Sequence, residues 1–233
     1  MPIDLNVRIP SSERLGEFED MAGRLGITGI APSTELDKPV VVSGKGLVLY
    51  SRADLRSKRI HSLRKELGLL RRRAVIVAFP LAGVETSNWA AEDRRVDLLT
   101  LGEDNIGAIL KDSTAHMAEH SGTALEIQFA AILRSTGLNR SRVLKGFREA
   151  TRTALDADMK IVLSSGASHP INMRSPMAMA YIGFMLGMNR VDSREAVFNT
   201  PQRIVERNER KLSSEFVGPG VEIVKRGGKR EKD

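Results

Sequence analysis

The chain has no cysteine, and that absence removes disulfides, thiolate zinc sites, iron–sulfur clusters and a cysteine nucleophile together. Histidine is scarce: only His61, His116, His120 and His169 are available to a histidine-rich metal centre. Aromatic residues are 4% of 233, so a core must be built from Leu, Ile, Val, Ala and Met. The same scarcity argues against base stacking on aromatic rings as a main way of holding a single strand. No apolar run reaches the ~20 residues of a membrane span, and no basic-then-apolar signal pattern opens the chain. A cytoplasmic protein with no membrane partner is expected.

What is present in excess is positive charge. Thirty-six Lys and Arg stand against 29 Asp and Glu, for a net charge of +7. Segment 56–73 carries Arg56, Lys58, Arg59, Arg64, Lys65, Arg71, Arg72 and Arg73 against Glu66 alone, so its net charge equals that of the whole chain. Charge focused in this way points to a polyanionic partner, although a basic helix face can also be merely solvated. A second cluster, Lys225, Arg226, Lys229 and Arg230, lies in a Gly-rich tail without periodicity. Residues 213–233 are therefore expected to be a flexible basic tail.

Aliphatic runs at 2–7, 27–30, 47–50, 73–79, 97–101, 123–129 and 160–163 read as strands, with a rudimentary eighth at 189–191 and a short edge at 40–42. Helical periodicity fills the intervals: 11–25, the basic segment, 87–95, 112–120, a helix capped by Ser141, 177–188, and a helix capped by Ser193 that breaks at 199–201 and resumes to 212. Strand and helix alternate every 20–35 residues, the pattern of repeated β/α crossovers. Seven full strands and one doubtful one predict a single-domain TIM-like (β/α) barrel over 1–212.

Residues 160–188 concentrate the informative chemistry. A buried strand runs into Ser164-Ser165-Gly166-Ala167-Ser168, where small residues let the backbone bend and are expected to leave its N–H groups accessible. Arg174 follows in the loop at the strand's C-terminal end, where ligands are met in such folds. Ser175 and Pro176 form an N-cap and a first helical position. The helix from Met177 to Met188 is apolar on nearly every face and is expected to be buried against the sheet.

The order Ser164-Ser165-Gly166-Ala167, then Arg174-Ser175-Pro176, then an apolar helix resembles the ribonuclease P protein component 3 family, the archaeal and eukaryotic subunit built on a PHP-like barrel. The likeness continues through Thr123–Ile127 and Asn199–Val205 and extends in order over residues 1–212. It implies a part in removing the 5′ leader of precursor tRNA, with the catalytic centre and its Mg2+ in the RNA subunit. It also implies ribonuclease P RNA, protein component 2 and further protein subunits as partners. No catalytic residue, bound cofactor or metal is then expected in this chain. RNA contacts are expected at the eight cations of 56–73, at Arg174, and at Lys225 and Arg226.

Two other classes remain open on sequence. PHP-like barrels are known as metal-dependent phosphoesterases, which need a His-x-His pair in the first strand; Asp4-Leu5-Asn6 stands there instead. A reduced ligand set around Glu126 and His169 is the surviving form of that reading. His116 and His120 have an i, i+4 spacing that can hold a metal, but no Glu follows His116, and a solvent-facing pair is expected. Gly44-Lys45-Gly46 lacks the rest of a phosphate loop. The third class is a protein scaffold that uses the barrel's helices and makes no RNA contact.

Overall fold

An aliphatic run buried on both faces is stable only between a packed interior and covering helices, and each such run here becomes a parallel strand. In the computed structural model, residues 2–213, 215–218 and 221–222 are described. The first part of the chain comprises β1 (Ile3–Val7), α1 (Leu15–Leu25), β2 (Gly29–Pro32), β3 (Val40–Val42), β4 (Val48–Tyr50) and β5 (Arg52–Asp54). It continues with α2 (Ile60–Leu70), β6 (Ile76–Pro80), α3 (Val84–Glu92), β7 (Leu98–Leu101), α4 (Asp112–Ser121) and β8 (Ala124–Gln128). Then come α5 (Ala130–Arg134), α6 (Gly137–Asp156), β9 (Ile161–Ser164), α7 (Pro176–Met185), α8 (Arg190–Arg194) and α9 (Thr200–Leu212). Phe216–Gly218 and Val221–Glu222 pair as a short antiparallel ladder, while Lys225 and Arg226 lie outside the described residues.

Segment 48–54 is one strand interrupted at Ser51. Its first half, β4, pairs in parallel with β2, and its second half, β5, pairs in parallel with β6. The Ile76 N–H donates to the Ser51 carbonyl at 3.0 Å, which carries the ladder across the interruption. Parallel pairing continues from β6 through β7 and β8 to β9. Beyond β9, Gly166 N–H donates to Asn6 O at 2.9 Å and Arg8 N–H to Ala167 O at 2.8 Å, which returns the ladder to β1. β1 pairs with β2, so seven parallel strands close a TIM-like ring, with β3 antiparallel on β4. Closure leaves the ring no free edge.

Ile3, Leu5, Ala31, Ile76, Ala78, Leu98, Ala124 and Val162 form one buried cluster that also holds Ile204 and Val205 of α9. The alternate strand residues Val77, Leu99, Leu125, Ile127 and Leu163 join Leu63, Leu67, Phe147 and Ala154 of the surrounding helices. The period-2 alternation of strands thus sorts each run into two cores. α9 covers the end of the ring where the strands begin. There Asp97, fully buried, accepts from Arg71 Nη1 (2.5 Å), Arg207 Nη2 (2.8 Å), Asn208 Nδ2 (2.8 Å) and the Val77 N–H (2.8 Å). No helix among the described residues is long and apolar enough to cross a membrane.

Several expectations are corrected. Residues 189–191 form no strand: Asn189 Oδ1 accepts from the N–H groups of Val191 (2.8 Å) and Asp192 (2.9 Å) and caps α8. Ser193 is therefore not a cap but a buried residue inside α8, facing Gly183, where a Cβ would lie 2.6 Å from its hydroxyl. The expected break at 199–201 is a π-turn over Glu195–Asn199 that runs straight into α9, with Pro201 in the first turn, where its missing N–H is harmless. Ser141 lies within α6, which begins at Gly137 after Thr136, and the short helix α5 precedes it. Ser175 does cap α7, accepting from the Ala178 N–H. α7 itself is not wrapped in protein: Met177 (47%), Tyr181 (62%), Phe184 (41%) and Met185 (46%) are exposed.

Candidate nucleic-acid interface

The strand ends that β/α barrels present to ligands surround a cavity of about 460 Å³, lined by Asn6, Arg8, Ser33, Asp54, Thr100 and Gln128 among others. Beneath it lies a charge pair in place of a ligand cluster. Arg52 Nη1 and Nη2 donate to Glu126 Oε1 and Oε2, both at 2.8 Å, and the two side chains are 1% and 0% exposed. Arg52 also donates to Leu5 O at 2.6 Å and to Asp54 Oδ1 at 2.8 Å. Burial opposes the charge on Arg52, but Asp54 and Glu126 outweigh it and hold the guanidinium firmly protonated. Burial likewise pushes Asp54 up, and the Arg52 charge more than reverses this, leaving its carboxyl below the usual range. A bidentate fork on a carboxylate is the geometry arginine is built for.

Asp4, the first residue of the Asp4-Leu5-Asn6 stretch, is pushed up to about 6 by burial. Hydrogen bonds from Ser165 N–H (3.0 Å) and Asn6 N–H (3.2 Å) to Oδ1 oppose that rise, and Oδ2 has no partner. Glu126 therefore faces Arg52, and His169 is exposed near Glu17. His116 and His120 are exposed on α4. Among the described residues no three His, Asp or Glu side chains converge at metal-binding distances. Arg8, at the end of β1, adds a cation at the mouth: its Nη2 donates to Asp104 Oδ2 (2.8 Å) and Gln128 Oε1 (2.9 Å).

The Ser164–Ala167 loop is a closure seam. Ser165 N–H goes to Asp4, Gly166 N–H to Asn6 O, and Ala167 N–H to Ser165 Oγ at 3.1 Å. Its donors are taken, so the expectation that they stand open to a ligand is corrected. Gly166 has φ of +60°, and a Cβ there would approach Gln128 at 3.1 Å, which explains a glycine at this place. Arg174 follows in the next loop, its Nη1 fixed by the carbonyls of Ile171 and Met173, both at 2.8 Å. Arg174 is half-buried and makes no ion pair with a carboxylate among the described residues.

The basic segment is distributed along one crossover, from the mouth to the opposite end. Arg56, Lys58 and Arg59 lie in the loop after β5, exposed, with Glu66 accepting the backbone N–H groups of Arg56 and Ser57 at 3.0 Å. Arg64 and Lys65 are exposed on α2, whose buried side is Leu63 and Leu67. Arg72 and Arg73 are exposed at its far end. Arg71 differs: besides Asp97 it donates to the carbonyls of Arg95, Ala74 and Val75, so its guanidinium knits the barrel floor. Sequence reasoning did not find Arg8 or Arg52. The available signal was an arginine adjoining a strand end in each case, with Asp54 two residues beyond Arg52.

Comparison with known proteins adds an independent line. The model of the family described as RNase P subunit p30 matches residues 1–213. A Methanosarcina barkeri protein named ribonuclease P protein component 3 is 28% identical over 226 residues, 94% of this chain and 93% of that one. The Halobacterium salinarum protein of the same name is 32% identical over 155 residues, covering 65% and 64% of the two chains. A chain from the cryo-EM structure of archaeal ribonuclease P with mature tRNA superposes with a TM-score of 0.78 at 20% identity, covering 97% of this chain and 99% of its own. A family match that runs from the first strand to the end of α9 leaves no part of the barrel unaccounted for, and this chain belongs to the RNase P subunit p30 family.

Proposed function

We propose that this chain is the component 3 protein subunit of ribonuclease P. In that role it binds and stabilises the catalytic RNA while the RNA, with its Mg2+, hydrolyses one phosphodiester bond to release the 5′ leader of precursor tRNA. The observation that carries the reading is the family match over residues 1–213. The site geometry agrees with it: the buried carboxylate beneath the barrel mouth is neutralised by Arg52, while cations are displayed outside. The RNA is held by Arg56, Lys58, Arg59, Arg64, Lys65, Arg72 and Arg73 along the α2 crossover and by Arg174, contacts that neutralise phosphate and read shape. Lys225 and Arg226 of the tail extend the same charge. Arg71 serves the barrel floor. Component 2 and other subunits complete the particle, whose place is the cytoplasm.

The test is equilibrium binding of the cognate ribonuclease P RNA across a salt series, by wild type and by a Lys58→Glu/Arg59→Glu/Arg64→Glu/Lys65→Glu variant. These side chains are exposed, so the fold is expected to survive. Binding should weaken at least ~10-fold and the log–log salt slope should become shallower by about 3–4. An unchanged affinity and slope would return the basic face to mere solvation.

A further inference from the structure

We infer that the cavity at the barrel mouth takes up one unpaired ribonucleotide, with the base edge on buried amide and hydroxyl groups and the phosphate on the arginines of the rim. The cavity measures about 460 Å³, inside the ~300–1,000 Å³ of small-ligand sites. Asn6, Thr100 and Gln128 line it, each only 5% exposed. The side-chain amide of Asn6 and the hydroxyl of Thr100 have no hydrogen-bond partner among the described residues. The Gln128 amide nitrogen has only Glu126 Oε2, at a loose 3.4 Å. Buried polar groups are nearly always paired, so groups left open on a cavity wall mark the place of a ligand. Gln128 is also held in position. Arg8 Nη2 donates to its Oε1 at 2.9 Å, a Cβ at Gly102 would collide with its amide, and a Cβ at Gly166 would lie 3.1 Å from its own Cβ.

The charges of the lining select the ligand. Arg8 and Arg56 are balanced by Asp54 and Asp104, so a bare anion meets repulsion as well as attraction. The carboxylates form no metal centre, since no three His, Asp or Glu side chains converge among the described residues. An occupant must therefore offer an anion to the arginines and hydroxyl or amino donors to the carboxylates. Asn and Gln amides present a donor and an acceptor in one plane, the pattern of a base edge. Asp54 keeps acceptor capacity beyond its contacts from Arg52, which suits a ribose 2′-hydroxyl. Arg56 is exposed and forms no ion pair among the described residues. Arg8 is tied to Asp104, whose side chain is 76% exposed, and a phosphate competes readily with so wet a pair. Pro80 and the guanidinium planes supply faces for the base, so no aromatic ring is needed.

The location agrees. Arg56 belongs both to the cavity lining and to the basic run that continues through Lys58 and Arg59 into α2. A strand tracked by that run reaches the mouth at Arg56. One residue swung out of its stack enters the cavity there, while the neighbouring phosphates stay on the run. A free mononucleotide satisfies the same groups, and only the strand source rests on the proposed function.

The test titrates the full chain, by calorimetry, with the ribonucleoside 5′-monophosphates, their 2′-deoxy counterparts, inorganic phosphate and a single-stranded pentaribonucleotide. Wild type is compared with Asn6→Ala/Thr100→Val, which deletes side-chain groups that bond nothing in the protein. At least one ribonucleotide should bind wild type with a Kd below about 1 mM. Its affinity should fall at least ~10-fold in the variant, at unchanged Tm, and its deoxy counterpart should bind wild type at least ~10-fold less well. A pentamer that competes with the mononucleotide and binds more tightly assigns the site to an unpaired RNA residue; one that does not assigns it to the free nucleotide. Absence of nucleotide binding, inorganic phosphate bound as well as any nucleotide, equal binding of the deoxy form, or an affinity unmoved by Asn6→Ala/Thr100→Val each overturns the inference. A chain that binds ribonuclease P RNA but no nucleotide removes the pocket alone. A chain that binds mononucleotides but no ribonuclease P RNA removes the proposed function alone.

Discussion

The Arg52–Glu126 pair gives the most exacting stability prediction. Both side chains are almost fully buried, and the two-pronged contact is made at 2.8 Å on each prong. Arg52→Met leaves Glu126 with only the Gln128 amide at 3.4 Å. A buried carboxylate stripped of its cation should cost about 3–5 kcal/mol. Glu126→Gln should cost less, about 1–3 kcal/mol, because Arg52 keeps Asp54 and the Leu5 carbonyl. For a domain of this size the arginine variant should lose roughly 10 °C in Tm. Arg52→Met/Glu126→Leu removes both charges and should recover most of the loss. Urea unfolding followed by circular dichroism at pH 5 and pH 8 reads all of these. An Arg52→Met loss below about 1 kcal/mol, or a double variant less stable than Arg52→Met, would refute the reasoning.

Two other perturbations follow from buried carboxylates. Asp97→Ala leaves Arg71, Arg207, Asn208 and the Val77 N–H without their shared acceptor and should cost about 3–5 kcal/mol, with hydrogen exchange in α9 accelerating first. Burial pushes Asp4 up to about 6 in the folded chain from an ordinary 3.8, so its contribution favours folding most below about pH 4 and declines as pH rises to 6. Asp4→Asn should flatten that decline, which is worth up to about 3 kcal/mol, and a pH series of urea midpoints that is the same for both proteins would contradict it.

The barrel was legible because its alternation of aliphatic runs and amphipathic stretches is a repeated local signal, and the Ser175-Pro176 start of α7 is a local signal too. The misreadings arose where a local pattern has two outcomes. Ser141, Ser193 and Asn189 are all competent caps, and which one serves depends on where the preceding strand or turn releases the chain. The run Met177–Met188 has no polar face, which suits a buried helix or an interface helix equally. Small residues at Ser164–Ala167 announce a tight bend, yet whether their N–H groups face a ligand or a neighbouring strand depends on β1, some 160 positions earlier. Arg52 and Glu126 are 74 residues apart, so their pairing becomes visible only once the ring closes. The exposed cations of 56–73 were visible as a cluster, but the separate duty of Arg71 depends on Asp97 across the barrel floor.

The most direct test of the account is precursor-tRNA cleavage in Mg2+ by the cognate ribonuclease P RNA and its other protein subunits, with and without this chain. The account predicts that adding the chain lowers the Mg2+ requirement or raises cleavage, and that the chain alone cuts nothing. A chain that leaves that reaction unchanged, yet hydrolyses a phosphoester by itself, would contradict it.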